Sequence, residues 1–149
     1  MIAIRRAGAR DAPVVACLVD ALLAELGSGP SQLGERTATA GRLLALDDRV
    51  FGFLAHDEAA PVGAMMLAES LSIYAGGAFG VITELYVTPG HRSSGVAPRL
   101  VAAGAALGRA RGWRQLEVGA PHQPAWARSL HFYLRNGFTE IGPRLRLRL

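Results

Sequence analysis

The stretch that decides the fold is residues 81–111, VITELYVTPGHRSSGVAPRLVAAGAALGRAR. Its first residues are branched and aromatic, which is typical of a β-strand. Residues 88–90, Thr-Pro-Gly, end that strand, because Pro has no N–H to donate to a sheet and Gly favours turns. After a polar loop at residues 91–95, an Ala-, Leu- and Val-rich segment of helical character completes the stretch. The stretch therefore predicts a strand, a tight loop and a helix in immediate succession.

The start of this helix is suited to binding phosphate. The first N–H groups of a helix have no internal acceptor, and the helix dipole places about half a positive charge at the same end. Such an end is a ready seat for a phosphate or diphosphate group. Gly95 and Ala97 leave room for ligand oxygens, and Arg92 adds a positive charge beside them. The loop is not a P-loop, because Val96 and Ala97 stand where Lys and Ser or Thr are required, and no G-x-G-x-x-G motif is present.

Two sequence blocks carry a family resemblance. Residues 92–97, RSSGVA, follow the strand end ELYVTP and have the form Arg-x-x-Gly-x-Ala. This hexapeptide resembles motif A of the GNAT family of N-acetyltransferases, which binds the diphosphate of acetyl-coenzyme A (acetyl-CoA). Residues 130–138, LHFYLRNGF, resemble motif B of the same family at the expected distance downstream. The resemblance is sharp over residues 82–138 and extends more loosely over nearly the whole chain.

The composition sets bounds on the class of protein. The chain has 149 residues, of which half are hydrophobic and 19% charged, so a single folded domain over residues 1–149 is expected rather than disorder. No apolar run approaches the roughly 18 residues of a membrane span, and the N-terminus lacks a signal-peptide pattern. The one cysteine, Cys17, permits no internal disulfide. This favours a reducing, cytoplasmic location and a core position for the thiol.

The charge is unusual because all sixteen basic residues are Arg, with a net charge of +4. A basic protein can bind nucleic acid or an anionic cofactor. The Arg residues are spread along the chain, and aromatic residues do not alternate with them as on a base-stacking surface. Absence of Lys with abundant Ala and Gly is typical of a GC-rich bacterial genome. Nucleic-acid binding therefore remains the lesser alternative.

The rest of the chain predicts further strands and helices of an α/β fold. Strands are expected at residues 1–6, 49–56, 61–71, 113–118, 138–141 and 144–149, and helices at residues 11–26, 35–46 and 125–136. Asp11 is the expected N-cap of the first helix. The terminal RLRLRL alternates with period two, which predicts a strand with Leu toward the core and Arg toward water. The element order is that of the GNAT fold: a mixed, mostly antiparallel sheet, helices on both faces, and a gap where strands 4 and 5 splay apart.

The resemblance assigns the binding site for acetyl-CoA. In GNAT enzymes the pantetheine arm lies between strands 4 and 5 and pairs with backbone groups of strand 4. The matching strand positions here are Leu85, Tyr86 and Val87, and the matching diphosphate loop is Arg92, Ser93, Ser94, Gly95, Val96 and Ala97. An ordinary strand–loop–helix crossover is the alternative interpretation. No metal site is predicted, since the His and Cys residues lack ligand spacing.

The resemblance also implies catalytic roles. Tyr133 matches the motif B tyrosine that protonates the leaving thiolate, and a phenol suits this role because its ordinary pKa of about 10 exceeds that of a thiol. Glu84 on strand 4 and Glu117 on strand 5 are the candidates for general base, directly or through water. Each carboxylate can instead lie on the surface, and Tyr133 can be a packed aromatic. Trp126 stands where many members carry Asn, which weakens the transfer of the base role to Glu117.

The sequence thus predicts an acetyl-CoA-dependent N-acetyltransferase that acts on a primary amine of a small molecule, peptide or protein. The alternative is a non-catalytic acyl-CoA-binding regulatory domain of the same fold. The motifs do not encode the acceptor, and residues 27–34 together with the closing hairpin are where its choice is expected. A homodimer is compatible with the resemblance.

Overall fold

The computed structural model describes residues 1–149, and its helices and strands follow one another along the chain with short connections. The elements are β1 (Ile2–Ala7), α1 (Ala12–Glu25), α2 (Leu33–Leu44), β2 (Val50–Asp57), β3 (Ala60–Ser72), β4 (Gly77–Val87), α3 (Val96–Arg111), β5 (Leu116–Val118) and α4 (Ala127–Arg135). They fall into two compact units, Met1–Glu117 and Val118–Leu149. The single domain expected from the sequence stays a prediction. None of the helices is both long and apolar enough to cross a membrane.

The sheet has five strands in the order β1-β2-β3-β4-β5. The first four pair antiparallel, with Ile4 opposite Ala55 in the first pair and Ala64 opposite Tyr86 in the third. β4 and β5 are joined by α3, a connection long enough for two neighbouring strands to run in the same direction. The mixed, mostly antiparallel sheet predicted from the element order is confirmed.

Alternation along the central strands gives the sheet two apolar faces. Ala64, Met66 and Tyr86 pack in one cluster with residues of α1 and α2, including Val15 and Leu44. The intervening strand residues point the other way, as strand geometry requires. There Met65 and Leu67 lie against Gly104 of α3, where an added Cβ would come within 2.7 and 2.9 Å of them. Helices therefore cover both faces, as expected.

Asp11 does not cap α1 with its side chain, contrary to the expectation from the sequence. Its carboxylate accepts hydrogen bonds from Arg5, at 2.8 and 3.0 Å, and from the Gly8 N–H at 2.8 Å. The hydrogen bond from Arg5 is the main cause that lowers the pKa of Asp11 to about 2. The carboxylate thus ties the end of β1 to the turn that precedes α1.

Cys17 is exposed rather than buried in the core. The buried positions of α1 include Val15 and Leu18, which lie almost one turn apart on the face toward the sheet. Cys17 is two residues from Val15, about 200° around the helix, so it lies off that face. The predicted core position of the thiol is wrong.

The second unit contains α4 but no strand after it, so the predicted closing hairpin is wrong. Leu145 and Leu147 are 94% and 84% exposed, and Leu149 is fully exposed. An alternating segment becomes a strand only where another strand offers its backbone groups. β5 contributes only Val118 to this unit, so residues 144–149 have no strand to pair with inside it.

Candidate active site

The C-terminal half of β4 has one edge without a strand partner. β4 has eleven residues and its neighbour β5 has three. The Gly80 N–H donates to the Gln115 carbonyl at 3.1 Å, which places β5 beside the first half of β4. Trp113 covers the backbone at this point, since a Cβ on Gly80 would come within 2.4 Å of its ring. The open edge further along β4 is the gap expected between strands 4 and 5.

A bulge interrupts β4 immediately before this open edge. Met66 of β3 is opposite Glu84, but Leu67 is opposite Ile82, so Thr83 is an extra residue without a partner of its own. Bulges bend a strand and redirect its side chains, and they are frequent beside active sites. The bulge was not predicted, and no local sequence signal identifies it.

Glu84 follows the bulge and is half-buried. Its carboxylate accepts a hydrogen bond from the Thr83 hydroxyl at 2.5 Å. Burial is the main cause that raises the pKa of Glu84 above its ordinary value of 4.5, although the bond from Thr83 acts in the opposite direction. A carboxylate with a raised pKa is a stronger base, which suits it to proton abstraction near neutral pH.

The three predicted pantetheine-pairing residues end β4. Leu85, Tyr86 and Val87 lie opposite Met65, Ala64 and Gly63 of β3. Tyr86 and Val87 are buried. Their side chains are therefore part of the core, and the Val87 carbonyl already accepts a hydrogen bond from Arg92.

The loop between β4 and α3 presents its backbone N–H groups without acceptors. None of the N–H groups of residues 93–97 donates a backbone hydrogen bond of normal geometry, although residues 92–95 form a turn. Gly95 has φ +85°, a left-handed conformation that favours glycine, and the space around it is open. Val96 anchors the loop because it is buried, close to Gly63. Free amides at the start of a 16-residue helix fit a diphosphate group.

Arg92 and Ser94 are held by other parts of the first unit. Arg92 donates from Nε to the Val87 carbonyl at 2.9 Å and from a terminal nitrogen to the Glu25 carboxylate. The Ser94 hydroxyl donates to the His91 carbonyl. Neither side chain is free, and the partner Glu25 was not foreseen from the sequence.

Glu117, the second candidate base, is occupied by two hydrogen-bond donors. The hydroxyl of Tyr74 and the side-chain amide of Gln115, the latter at 2.6 Å, both donate to the same carboxylate oxygen. The bond to Glu117 is the main cause that raises the pKa of Tyr74. Tyr74, on the turn between β3 and β4, was not singled out from the sequence. One oxygen of this carboxylate is therefore already occupied by two donors within the chain.

In the second unit, Tyr133 lies in an aromatic cluster on α4. Its ring makes edge-to-face contacts with Phe132 and Phe138, with ring centres 5.2 and 5.4 Å away. Burial raises the pKa of Tyr133 to about 12. The Tyr133 hydroxyl makes no hydrogen bond within the chain. Since every fully buried side-chain N or O atom has a hydrogen-bond partner, this hydroxyl is not fully buried and reaches the surface. Trp126 stands at the N-cap of the same helix and is half-buried.

The Acetyltransferase (GNAT) domain family matches residues 48–140, well over half of the chain. The chain belongs to the GNAT acetyltransferase family. The match includes β4, the loop with free amides, α3 and α4. The resemblance drawn from the two sequence motifs is therefore confirmed. No curated protein sequence matches the chain.

Solved structures share the fold of this GNAT protein over almost their full length. A protein of Arthrobacter sp. FB24 assigned as an acetyltransferase is 30% identical, with a TM-score of 0.77 over 99% of this chain and 94% of that one. The ribosomal-protein-alanine N-acetyltransferase of Brucella melitensis biovar Abortus 2308 is 23% identical, with a TM-score of 0.78 over 100% and 99%. A Clostridium acetobutylicum protein, predicted to be an acetyltransferase and solved with acetyl-CoA, is 19% identical, with a TM-score of 0.81 over 99% and 96%.

Within the first unit, the GNAT protein brings most of the sequence-predicted residues to one end of the sheet. Glu84 and residues 85–87 line the last part of β4, and residues 92–97 follow directly. Glu117 lies on the neighbouring strand β5. Tyr133 belongs to the second unit. The two units each carry part of the predicted catalytic set.

Proposed function

We propose that this GNAT protein is an acetyl-CoA-dependent N-acetyltransferase that acetylates a primary amine. The observation that carries the proposal is the run of acceptor-free N–H groups at residues 93–97, next to the open edge of β4. A diphosphate fits the first feature and an extended amide chain fits the second. Acetyl-CoA contains both groups. Its pantetheine arm is joined to its diphosphate, just as the open edge of β4 is followed by the loop.

Each part of acetyl-CoA is assigned to the part of the chain that it fits. The amides of residues 93–97 bind the diphosphate, and backbone groups of Leu85, Tyr86 and Val87 pair with the pantetheine arm. Acetyl-CoA supplies a thioester carbonyl that an amine can attack. The chain must then remove one proton from the amine and deliver one proton to the departing sulfur.

Glu84 is the proposed general base. Its pKa is raised by burial, and its only side-chain donor is the neighbouring Thr83. Glu117 is the less favoured candidate because Tyr74 and Gln115 already donate to it. Since Glu84 follows the bulge on the strand that binds pantetheine, an amine presented to the thioester comes close to it, directly or through one water.

Tyr133 is the proposed general acid. A phenol whose pKa is raised to about 12 remains protonated at any working pH, so it always has a proton to give. Its hydroxyl makes no hydrogen bond within the chain and is available to a ligand atom. The surrounding aromatic rings hold the ring in one orientation, which limits the directions in which the proton can be delivered.

The test is release of free thiol from acetyl-CoA in the presence of a panel of amines: aminoglycosides, polyamines, amino acids and peptides with free N-termini. Turnover with at least one amine is expected, and it should be lost in Gly95→Glu, in which a carboxylate replaces the hydrogen at the diphosphate seat. Binding of CoA without thiol release from any amine would favour the alternative, a non-catalytic acyl-CoA-binding domain. Retention on DNA that decreases steeply with salt would favour nucleic-acid binding instead.

A further inference from the structure

Arg92 is held in one orientation by three neighbours at the end of β4. Its Nε–H donates to the Val87 carbonyl at 2.9 Å, and one terminal nitrogen donates to both carboxylate oxygens of Glu25 at 2.8 and 2.9 Å. The guanidinium carbon lies 5.4 Å from the centre of the Tyr86 ring. The Tyr86 hydroxyl donates to Glu25 at 3.3 Å. An arginine has two terminal nitrogens, and the second one here donates to no carboxylate or carbonyl group of the chain.

Glu25 is in an unfavourable place for a carboxylate. It is the last residue of α1, where the negative end of the helix dipole repels an anion. Its pairing with Arg92 contributes little to folding, since the two side chains are 33% and 40% exposed and water screens pairs of this kind. Stability alone therefore gives no account of why these two side chains, 67 residues apart, meet here.

We propose that Glu25 is a positioning residue, which holds the Arg92 guanidinium so that its second terminal nitrogen is presented to the diphosphate of acetyl-CoA. This inference rests on the proposed function, because it requires the loop at residues 93–97 to be the diphosphate seat. A long side chain that is already ordered loses less conformational entropy when the ligand binds. Glu25 and Val87 supply that order to Arg92 in advance.

Glu25 also has an opposing effect, because its negative charge repels a phosphate. That repulsion is weakened by the Arg92 charge to which the carboxylate is bonded and by the water around both side chains. The ordering effect acts directly on the group that touches the ligand. We therefore expect the ordering of Arg92 to affect CoA affinity more than the repulsion does. Weaker CoA binding after removal of the Glu25 carboxylate indicates that ordering is the larger effect, and tighter binding indicates that repulsion is.

The test is the affinity for CoA and for pantetheine, which lacks the diphosphate, measured by calorimetry on the full chain. Glu25→Gln keeps the shape of the side chain and loses its charge. Its CoA Kd should rise roughly three- to tenfold, the equivalent of ordering one long side chain on binding, while its pantetheine Kd stays unchanged. In the Arg92→Ala background, Glu25→Gln should have no further effect. Glu25→Asp, which keeps a carboxylate, should lie between the wild type and Glu25→Gln.

Glu35→Gln is the matched control, since Glu35 is exposed on α2 and makes no side-chain contact of this kind. Unchanged or tighter CoA binding by Glu25→Gln overturns the inference, and tighter binding identifies Glu25 as a competitor of the phosphates. Equal losses for CoA and pantetheine also overturn it, because they indicate a general change in the fold. If the wild type binds no CoA at all, the proposed function fails together with the inference.

Discussion

The hydroxyl of Thr83 donates a hydrogen bond to the carboxylate of Glu84 at the point where β4 bulges. Two adjacent residues of a regular strand point to opposite faces and cannot meet in this way. The bulge therefore brings an otherwise outward hydroxyl beside a half-buried carboxylate. This places a carboxylate of raised pKa at the start of the open edge of the strand.

Glu84→Gln should lower kcat/KM by roughly 10²–10⁴-fold, the usual effect of removing a positioned general base, with CoA affinity unchanged. In the wild type, kcat/KM should rise with pH through an apparent pKa above 4.5, because the base acts only when ionised. This rise of kcat/KM with pH should be absent in Glu84→Gln. Glu117→Gln is the control with a smaller expected loss, and a larger loss there would assign the base to β5.

The same substitution should stabilise the protein near neutral pH. A group whose pKa is raised on folding destabilises the folded chain when it is ionised, and has no such effect below its unfolded pKa of about 4.5. The Tm of Glu84→Gln should therefore exceed that of the wild type at pH 7. The difference should decrease with falling pH and vanish near pH 4. A lower Tm at pH 7 would mean that the ionised carboxylate is well solvated.

Tyr133→Phe removes one hydroxyl and keeps the ring contacts with Phe132 and Phe138. Turnover should fall by about 10²-fold, toward the lower end for a general acid because a thiolate is a fair leaving group. CoA affinity and Tm should stay close to wild type. Since burial raises the pKa of Tyr133 to about 12, its ionisation should not limit activity below about pH 10. Turnover within twofold of wild type would make the tyrosine structural.

Asp11→Asn should lower the Tm by a few °C at pH 7, because it removes the charged bonds to Arg5. The pKa of Asp11 is lowered on folding to about 2, so its stabilising effect is complete above the unfolded value of 3.8 and is lost as pH falls toward 2. Wild type and variant should converge over that range in thermal unfolding. Asp47→Asn, at an exposed site, should leave the Tm unchanged at every pH.

Local chemistry made part of the site predictable. The Thr-Pro-Gly sequence ends β4, Gly95 permits the left-handed turn that begins α3, and Gly112 ends it with φ +80°. Each of these depends on residues close in sequence. The end of β4, the loop and α3 were accordingly predicted with nearly correct bounds, although β4 begins at Gly77 rather than at residue 81.

Pairings between distant residues were not predictable. Glu25 meets Arg92 across 67 residues and Tyr74 meets Glu117 across 43. The terminal RLRLRL was misjudged for the same reason, because alternation specifies two faces of a strand but not the partner strand it needs. The exposure of Cys17 is different, since its angular position on α1 relative to Val15 could have identified it in advance.

The most direct test of the central claim is the binding of CoA to Gly95→Glu and Gly112→Glu, measured by calorimetry beside the wild type. Both glycines have φ near +80° and open space around them, so the strain of the two substitutions is matched. They lie at opposite ends of α3, about 24 Å apart for a helix of this length. Loss of CoA binding in Gly95→Glu with binding retained in Gly112→Glu is the expected result. Equal CoA affinity in the two variants would contradict the assignment of residues 93–97 as the diphosphate seat.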